Sequence, residues 1–549
     1  MNQESWHAVT PQYSQYDAQI QRLGEIEQVD FLQLQPRLKQ ALRTLCSLKG
    51  FTRLLVVDAY DNAFYRGLIK DGLSTLDANK PIVTTESLNI ATLLGSYNCN
   101  DHGDIVTKND GLVDKADGGY LIIPMSLLLA NPSSWQILKS ILLNEKVSPV
   151  NANPSKIANE QQSKSYDIKL VIVGRGVQIS EFEYIDPYIY DNIALYTEIE
   201  GEIQLDETSI NHYLGYLRWI IATYQLPSLS FGAVHRLMHA GARYTEDQGY
   251  MPIEVLWYLS LFQEAMLTSN GKVISEYDID QAIENKHYRE AYLQERALSD
   301  ITDGQVIIET KGECIGQVNG LTVISTSGHP VSYGEPSRIS CVIHFGDGDI
   351  SDVERKAELG GNLHAKGMMI MQAFVSSALK LDEPLPYSAS VVFEQSYIEV
   401  DGDSATLAEL CSFVSALSEY PINQQIAVTG AVDQFGRVQA VGGLNEKIEG
   451  FYNVCKHQGL TGSQGVILPK SNLKHLSLHK DVVESIKNNE FHIWSVATVD
   501  DAIPIIMGKP FRDDDNEDSV INKIAQRIEK YERHEHSQGI VARIKNWFA

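Results

Sequence analysis

Residues Gln424–Cys455 read QQIAVTGAVDQFGRVQAVGGLNEKIEGFYNVC. An apolar run, a polar turn at Gln434–Arg437, a second apolar run and a Gly-Gly turn precede a stripe at Leu444, Ile448, Phe451 and Cys455. That order predicts strand, turn, strand, turn, helix. Lys447 falls one residue from the stripe, in the helix's first turn. The positive end of the helix and nearby apolar surface both disfavour an ammonium there and lower its pKa. The alternative is an ordinary lysine whose stem lies on apolar surface with its charge in water.

Upstream, VDGDSATLAEL at Val400–Leu410 sets one serine behind a glycine and two aspartates, where a helical pattern begins. Leu407, Cys411, Val414 and Leu417 form one stripe, so Ser404 sits at or just before the first turn. Unpaired N–H groups and the helix dipole stabilise developing negative charge at such a place. Serine and aspartate are also ordinary N-caps, and the stretch alone does not decide between the two roles. A serine nucleophile needs a base. Lysine serves if its pKa falls from ~10.4 towards ~7–8, which takes about 3–4 kcal/mol of stabilisation of the neutral amine.

A chain of 549 residues predicts several domains. A hydrophobic share of 43% with 21% charged residues is that of a folded protein. The formal charge of −26 argues against nucleic acid as the main partner. Six cysteines, Cys46, Cys99, Cys314, Cys341, Cys411 and Cys455, form no C-x-x-C pair, so neither a common zinc site nor a disulfide framework is expected. No signal peptide is evident, and the longest apolar run, Tyr120–Ala130, is too short to span a bilayer. A cytoplasmic protein without membrane contact is expected.

Five regions follow. Residues 1–45 are a polar N-terminal segment whose end begins a helical pattern, LQPRLKQALRTLCSL. Residues 46–204 carry the apolar runs LLVVDAY, GGYLIIP and DIKLVIVG, which read as buried parallel strands of an α/β layer domain. Residues 205–303 are helical. Residues 304–508 form an α+β domain with β-like runs at QVIIET, GLTVIST and RISCVIHF, and helices near Met368–Leu379, Ala405–Leu417 and Leu444–Cys455. Residues 509–549 hold an acidic linker and an amphipathic helix traced by Ile521, Ile524, Ile528 and Tyr531.

An α/β layer followed by helices is where a phosphate-binding loop would lie. DAYDNAFY follows the strand LLVV in its eight positions, but Asp58 replaces the first glycine and Ala63, Phe64 and Tyr65 replace Gly-Lys-Ser/Thr. Phe64 offers phosphate no cation, and Asp58 and Asp61 repel it. Pro124 and Met125 stand where the next strand should end in the acidic pair that holds magnesium. Hydrolysis of nucleotide by the usual route is not expected, and neither ATP nor magnesium is expected as a cofactor.

Together, the GDSA and GGLNEKIEG motifs, the spacing from Ser404 to Lys447 and the Thr429–Gly430 between them resemble the Lon protease family. The likeness runs from IGQVNGLTVIS at Ile315 through LGGNLHAKGMMI to GVILPKSNLKHL, and the α/β and helical regions ahead are similar to its ATPase module and lid. The E/D-G-D-S-A form resembles the archaeal branch and its soluble bacterial relatives, without the archaeal membrane-spanning insertion; many members carry proline where Asp403 stands. The resemblance implies Ser404 as nucleophile, Lys447 as base, Thr429 holding them in register and backbone N–H groups of Asp403 and Ser404 as oxyanion donors. Asp401 and Asp403 either tune the site or only cap the helix, and one paired to Lys447 would have to turn away. It further implies a serine endopeptidase acting on unfolded polypeptide, assembled as a homo-hexameric ring. The degenerate nucleotide site predicts that it works without ATP-driven unfolding; an ATP-dependent enzyme with an altered site and a non-catalytic scaffold are the alternatives. His344 and His364 are weaker candidates for the base. FGDGDISD at Phe345–Asp352 lacks the closing Glu of a calcium loop, and HEH at His534–His536 is too short to suggest a metal site, so none is expected.

Overall fold

Continuous apolar runs flanked by polar residues become strands covered on both faces, and three of them define the first of two compact units. The computed structural model describes residues 2–159, 162–190, 193–346, 348, 350–380, 386–396, 401–513 and 515–530. The first unit holds Gln21–Leu226 with Ile253–Val255. Its five-stranded sheet runs Ile82–Thr84, Tyr120–Pro124, Lys169–Gly174, Leu54–Asp58, Ala194–Glu198, all parallel. Side chains from the sheet, such as Leu54, Val56 and Ile123, pack against Trp135, Leu138 and Phe182 of the covering helices. A smaller sheet of Ile105–Asn109, Ser96–Cys99 and Val150–Asn151 has no counterpart in the expectations, because its strands are short and polar.

The second unit holds Met1–Ile20, Pro227–Pro252 and Leu256–Ala549. Of the helices between 205 and 303, Ile210–Thr223 belongs to the first unit, and Phe231–Thr245 and those from Leu256 onward to the second. A seven-stranded mixed sheet runs Ile350–Asp352, Tyr387–Glu394, Tyr333–Phe345, Gln317–Ile324, Ile426–Val428, Gln464–Pro469, Phe491–Val496. Alternation along the strands separates two cores. Val318, Ile426, Val428 and Ile467 face the helices Asn362–Ala378, Thr406–Ser418 and Val499–Met507. Leu321, Ala427, Val466 and Leu468 face Leu444–Gln458 and Lys480–Lys487.

The structure departs from one expectation and adds two features that the sequence reading did not contain. QVIIET is not a strand: Ile308 is buried beside Ile301 and Val454, and its carbonyl and that of Glu309 accept from Gln458 and Asn319 side chains instead of a ladder. The Thr406–Ser418 helix has no solvent face, for every residue in it is buried. Its serines satisfy themselves locally, Ser412 and Ser418 bonding back to the Glu409 and Val414 carbonyls. The first twenty residues of the N-terminal segment are part of the second unit, where the Glu4 N–H donates to the Ile493 carbonyl (2.8 Å) and Val9 is fully buried.

Residues 520–530 are helical, with Ile524 and Ile528 in the core, while Tyr531, His534–His536 and the terminal WFA lie outside the described residues, as do Asp347 and Asp349. Arg527 from this helix donates to the carbonyls of Ala416 and Leu417, at the negative end of the Thr406–Ser418 helix.

Candidate active site

The helices carrying Ser404 and Lys447 pack on opposite faces of the sheet, so their side chains can meet only beyond the end of a strand. The short strand Ile426–Val428 provides that place. The run expected as one strand breaks at Thr429–Gly430, and Ala431–Val432 turns away to pair with Val438–Gln439. Gly430 donates to the Ser404 carbonyl (2.8 Å), and the Thr429 hydroxyl donates to the same oxygen (3.3 Å).

Lys447 Nζ lies 3.0 Å from Ser404 Oγ and 3.2 Å from Thr429 Oγ1. The structure thus brings together the three residues singled out by sequence. Lys447 does not stretch to solvent, since it is 3% exposed. Burial pushes its ammonium down to about 8, against a weaker opposing pull from the Asp403 carboxylate. Asp401 and Asp403 are both exposed, and among the described residues neither hydrogen-bonds Lys447. Among those residues, too, no acceptor takes the N–H of Asp403 or Ser404. Thr406 instead closes the turn, its N–H and hydroxyl both donating to the Asp403 carbonyl.

The lysine helix is fixed by contacts that sequence did not reveal. A Cβ on Gly334 would lie 2.1 Å from the Glu446 carbonyl oxygen, and one on Gly450 2.1 Å from the Gly334 carbonyl oxygen. Strand and helix therefore cross backbone to backbone beside Lys447. Arg243 binds Glu446 (2.8 Å) and Glu449 (2.5 Å), the residues before and two after the lysine. Both alternatives for the base are displaced: His344 is exposed, and His364 is buried against Asp352 and Glu409 rather than Ser404.

In the first unit, the loop after Leu54–Asp58 leads into the Ala63–Leu76 helix, capped by Asn62, as a phosphate-binding loop would. Its contents do not fit a magnesium-bound triphosphate. The Asp61 carboxylate, 7% exposed, accepts from Arg66 (2.8 Å), the Ser126 N–H (3.0 Å) and Gln178 (3.1 Å). Thus a carboxylate from the chain itself takes the donors that a phosphate would need. Phe64 and Tyr65 lie edge to face, Tyr65 is buried, and Pro124 ends the strand and caps a helix whose first residue, Met125, is fully buried.

An α/β layer unit and a Ser-Lys-Thr constellation at the end of a mixed sheet define a chain of the ATPase-fused protease class. The C-terminal proteolytic domain of Lon protease matches residues 389–509, and the LonB-like AAA domain matches 78–198. The chain is 38% identical over 580 residues to a protein of Escherichia coli (strain K12) named "Putative Lon protease homolog", covering 99% of this chain and 98% of that one. A Haemophilus influenzae protein of the same name is 39% identical over 444 residues, 80% of this chain and 74% of its own. The archaeal Lon protease of Thermococcus kodakarensis is 26% identical over 313 residues, 56% of this chain and 45% of its own. This chain belongs to the Lon protease family.

Proposed function

We propose that the chain is a serine endopeptidase that cuts unfolded polypeptide with a Ser404–Lys447 dyad and without ATP-driven unfolding. The observation that carries this reading is the 3.0 Å approach of Lys447 Nζ to Ser404 Oγ in a buried setting that favours the neutral amine. Neutral Lys447 accepts the serine proton as Oγ attacks the scissile carbonyl, then returns it to the departing amine. The negative charge on the tetrahedral oxygen falls to the N–H groups of Asp403 and Ser404, each such donor contributing roughly 3–4 kcal/mol. Thr429, bonded to both the lysine and the Ser404 backbone, keeps the pair in register. The Asp403 carboxylate opposes the lowering of Lys447 without outweighing burial.

Because the base must be neutral, kcat/KM for a short peptide rises with pH between 6 and about 8. A flat profile from pH 6 to 9 would remove Lys447 from that role.

The Asp61 plug supports independence from ATP. Purified protein should cut casein-like unfolded substrate at the same rate with and without Mg-ATP, with no thermal shift beyond that of matched salt. Asp61→Ala leaves the buried Arg66 guanidinium with less compensation. It should destabilise the first unit by about 3 kcal/mol while sparing short-peptide cleavage. Stimulation of the native protein by ATP would sink this part of the reading.

Among the described residues no helix is long and apolar enough to cross a membrane, in keeping with a cytoplasmic place of action. A closed homo-hexameric ring would restrict the site to chains able to thread in, and light scattering giving a six-fold mass tests it.

A further inference from the structure

Beside the nucleophile helix lie four ionisable groups with no part in the proposed dyad, three buried and Asp352 largely so. His364 Nε2 is 3.1 Å from Asp352 Oδ2, and His364 Nδ1 is 3.4 Å from Glu409 Oε1. Glu354 adds a third carboxylate, accepting from the Phe393 N–H at 2.9 Å. Four elements supply them: the strand Ile350–Asp352, the short helix Val353–Lys356, the helix Asn362–Ala378 and the nucleophile helix. The strand Tyr387–Glu394 contributes the Phe393 N–H and its ring, edge to face with His364. Among the described residues, His364 is the cluster's one cation.

The cluster is joined to Ser404 by short links. The Glu409 N–H donates to the Ala405 carbonyl, one turn from the nucleophile. His364 stands between two glycines that let its helix touch the nucleophile loop. A Cβ on Gly361 would lie 2.3 Å from Asp401 Oδ1, and one on Gly367 2.5 Å from Thr406 Oγ1. We propose that His364, Asp352, Glu354 and Glu409 act as a proton-bearing strut that positions Ser404, keeping the nucleophile helix aligned only while one of the carboxylates stays protonated.

Three carboxylates around one imidazolium would bury a net charge of −2, and the low-dielectric interior resists it. Burial, with Asp352 and Glu354 nearby, pushes Glu409 up to about 7 against the attraction of His364. Glu354 is raised by burial as well. Burial alone would lower His364, but Asp352 and Glu409 outweigh it and hold it above its usual value. Asp352, despite burial, is held low by His364 and by the N–H groups of Arg355 and Glu354. Folding therefore favours proton uptake at Glu409, Glu354 and His364, and that stabilisation fades as pH rises through neutrality. Lys447 needs the opposite change, so the strut limits activity on the alkaline side while the base limits it on the acid side.

The proposal rests on the Ser404 reading, and the test separates the two. Glu409→Gln keeps shape and stays neutral. Rates of short-peptide cleavage and of Ser404 labelling by a fluorophosphonate are measured from pH 6 to 9.5 in full-length protein. The wild-type rate should pass through a maximum and fall, whereas Glu409→Gln should rise to a plateau, its pH 9 to pH 7 ratio about ten times larger. His364→Gln should lower kcat about ten-fold or more with KM little changed, and adding Glu409→Gln should restore part of it. Matching pH profiles for wild type and Glu409→Gln would overturn the strut, as would a failure of the double variant to recover activity while circular dichroism shows it folded. If Ser404→Ala retained cleavage, the dyad reading itself would fall, and the strut with it.

Discussion

Ser404→Ala and Lys447→Met should each lower peptide hydrolysis by on the order of 10⁴-fold or more, with the double variant no worse than either alone. Residues that act as one unit do not contribute additively, because removing either leaves only binding and oxyanion stabilisation. The two variants part company in stability. The folded value for Lys447, about 8, is below the ordinary 10.5 of the unfolded chain. The unfolded chain binds more protons between those values, so stability rises with pH across that window and Lys447 costs stability below it. At pH 7, Lys447→Met should therefore stabilise the proteolytic unit by up to about 3 kcal/mol, a gain Ser404→Ala does not share. Denaturant titration at pH 7 and 10 measures this. A destabilised Lys447→Met at both values would mean that the amine is held by stronger interactions than its two hydroxyl partners provide.

Gly334→Ala has the second large effect. Its methyl would meet the carbonyl oxygen of Glu446 at 2.1 Å and the Lys447 nitrogen at 2.5 Å, backbone atoms that cannot swing aside. Strand and helix must separate, at a cost of about 3 kcal/mol for overpacking of this kind. Separation by even 1 Å takes Nζ out of reach of the serine, and misplacement on that scale costs roughly 10²-fold in rate. The loss should appear in kcat/KM for short peptides and in the stability of the proteolytic unit together. Full activity in this variant would show that the crossing does not set the base's position.

The approach of Lys447 to Ser404 was legible because two local patterns, a serine before one helix and a lysine inside another, lie at a spacing that resembles the family's. The sheet and its parallel strands were legible from unbroken apolar runs such as Leu54–Asp58 and Tyr120–Pro124. Glu409 was not. A glutamate between Ala408 and Leu410 reads as one solvated position on an amphipathic helix, and only the packing of Asn362–Ala378 against it reveals burial. Asp61 was seen as a charge that repels phosphate, whereas its larger role is to fill the donors itself. QVIIET has the composition of a strand, yet Ile308 and Glu309 give their carbonyls to the Gln458 and Asn319 side chains instead of to a ladder. Arg243, Gly334 and the N-terminal segment act across a hundred residues or more, where periodicity carries no information.

That last feature bears on when the enzyme comes into being. Asn2 and Glu4 are made long before their backbone partners, Ser495 and Ile493, and the side chains of Gln3 and His492 meet across 489 steps of chain. At ~5–20 residues per second, the first segment waits roughly 25 to 100 s for the strand it lies against. Arg527, which steadies the far end of the nucleophile helix, arrives later still. Stalled chains ending near residue 480 should accordingly fail to react with a serine-directed probe. A site that needs both the Gln3–Glu4 segment and Arg527 in place should stay inert until synthesis has passed Arg527.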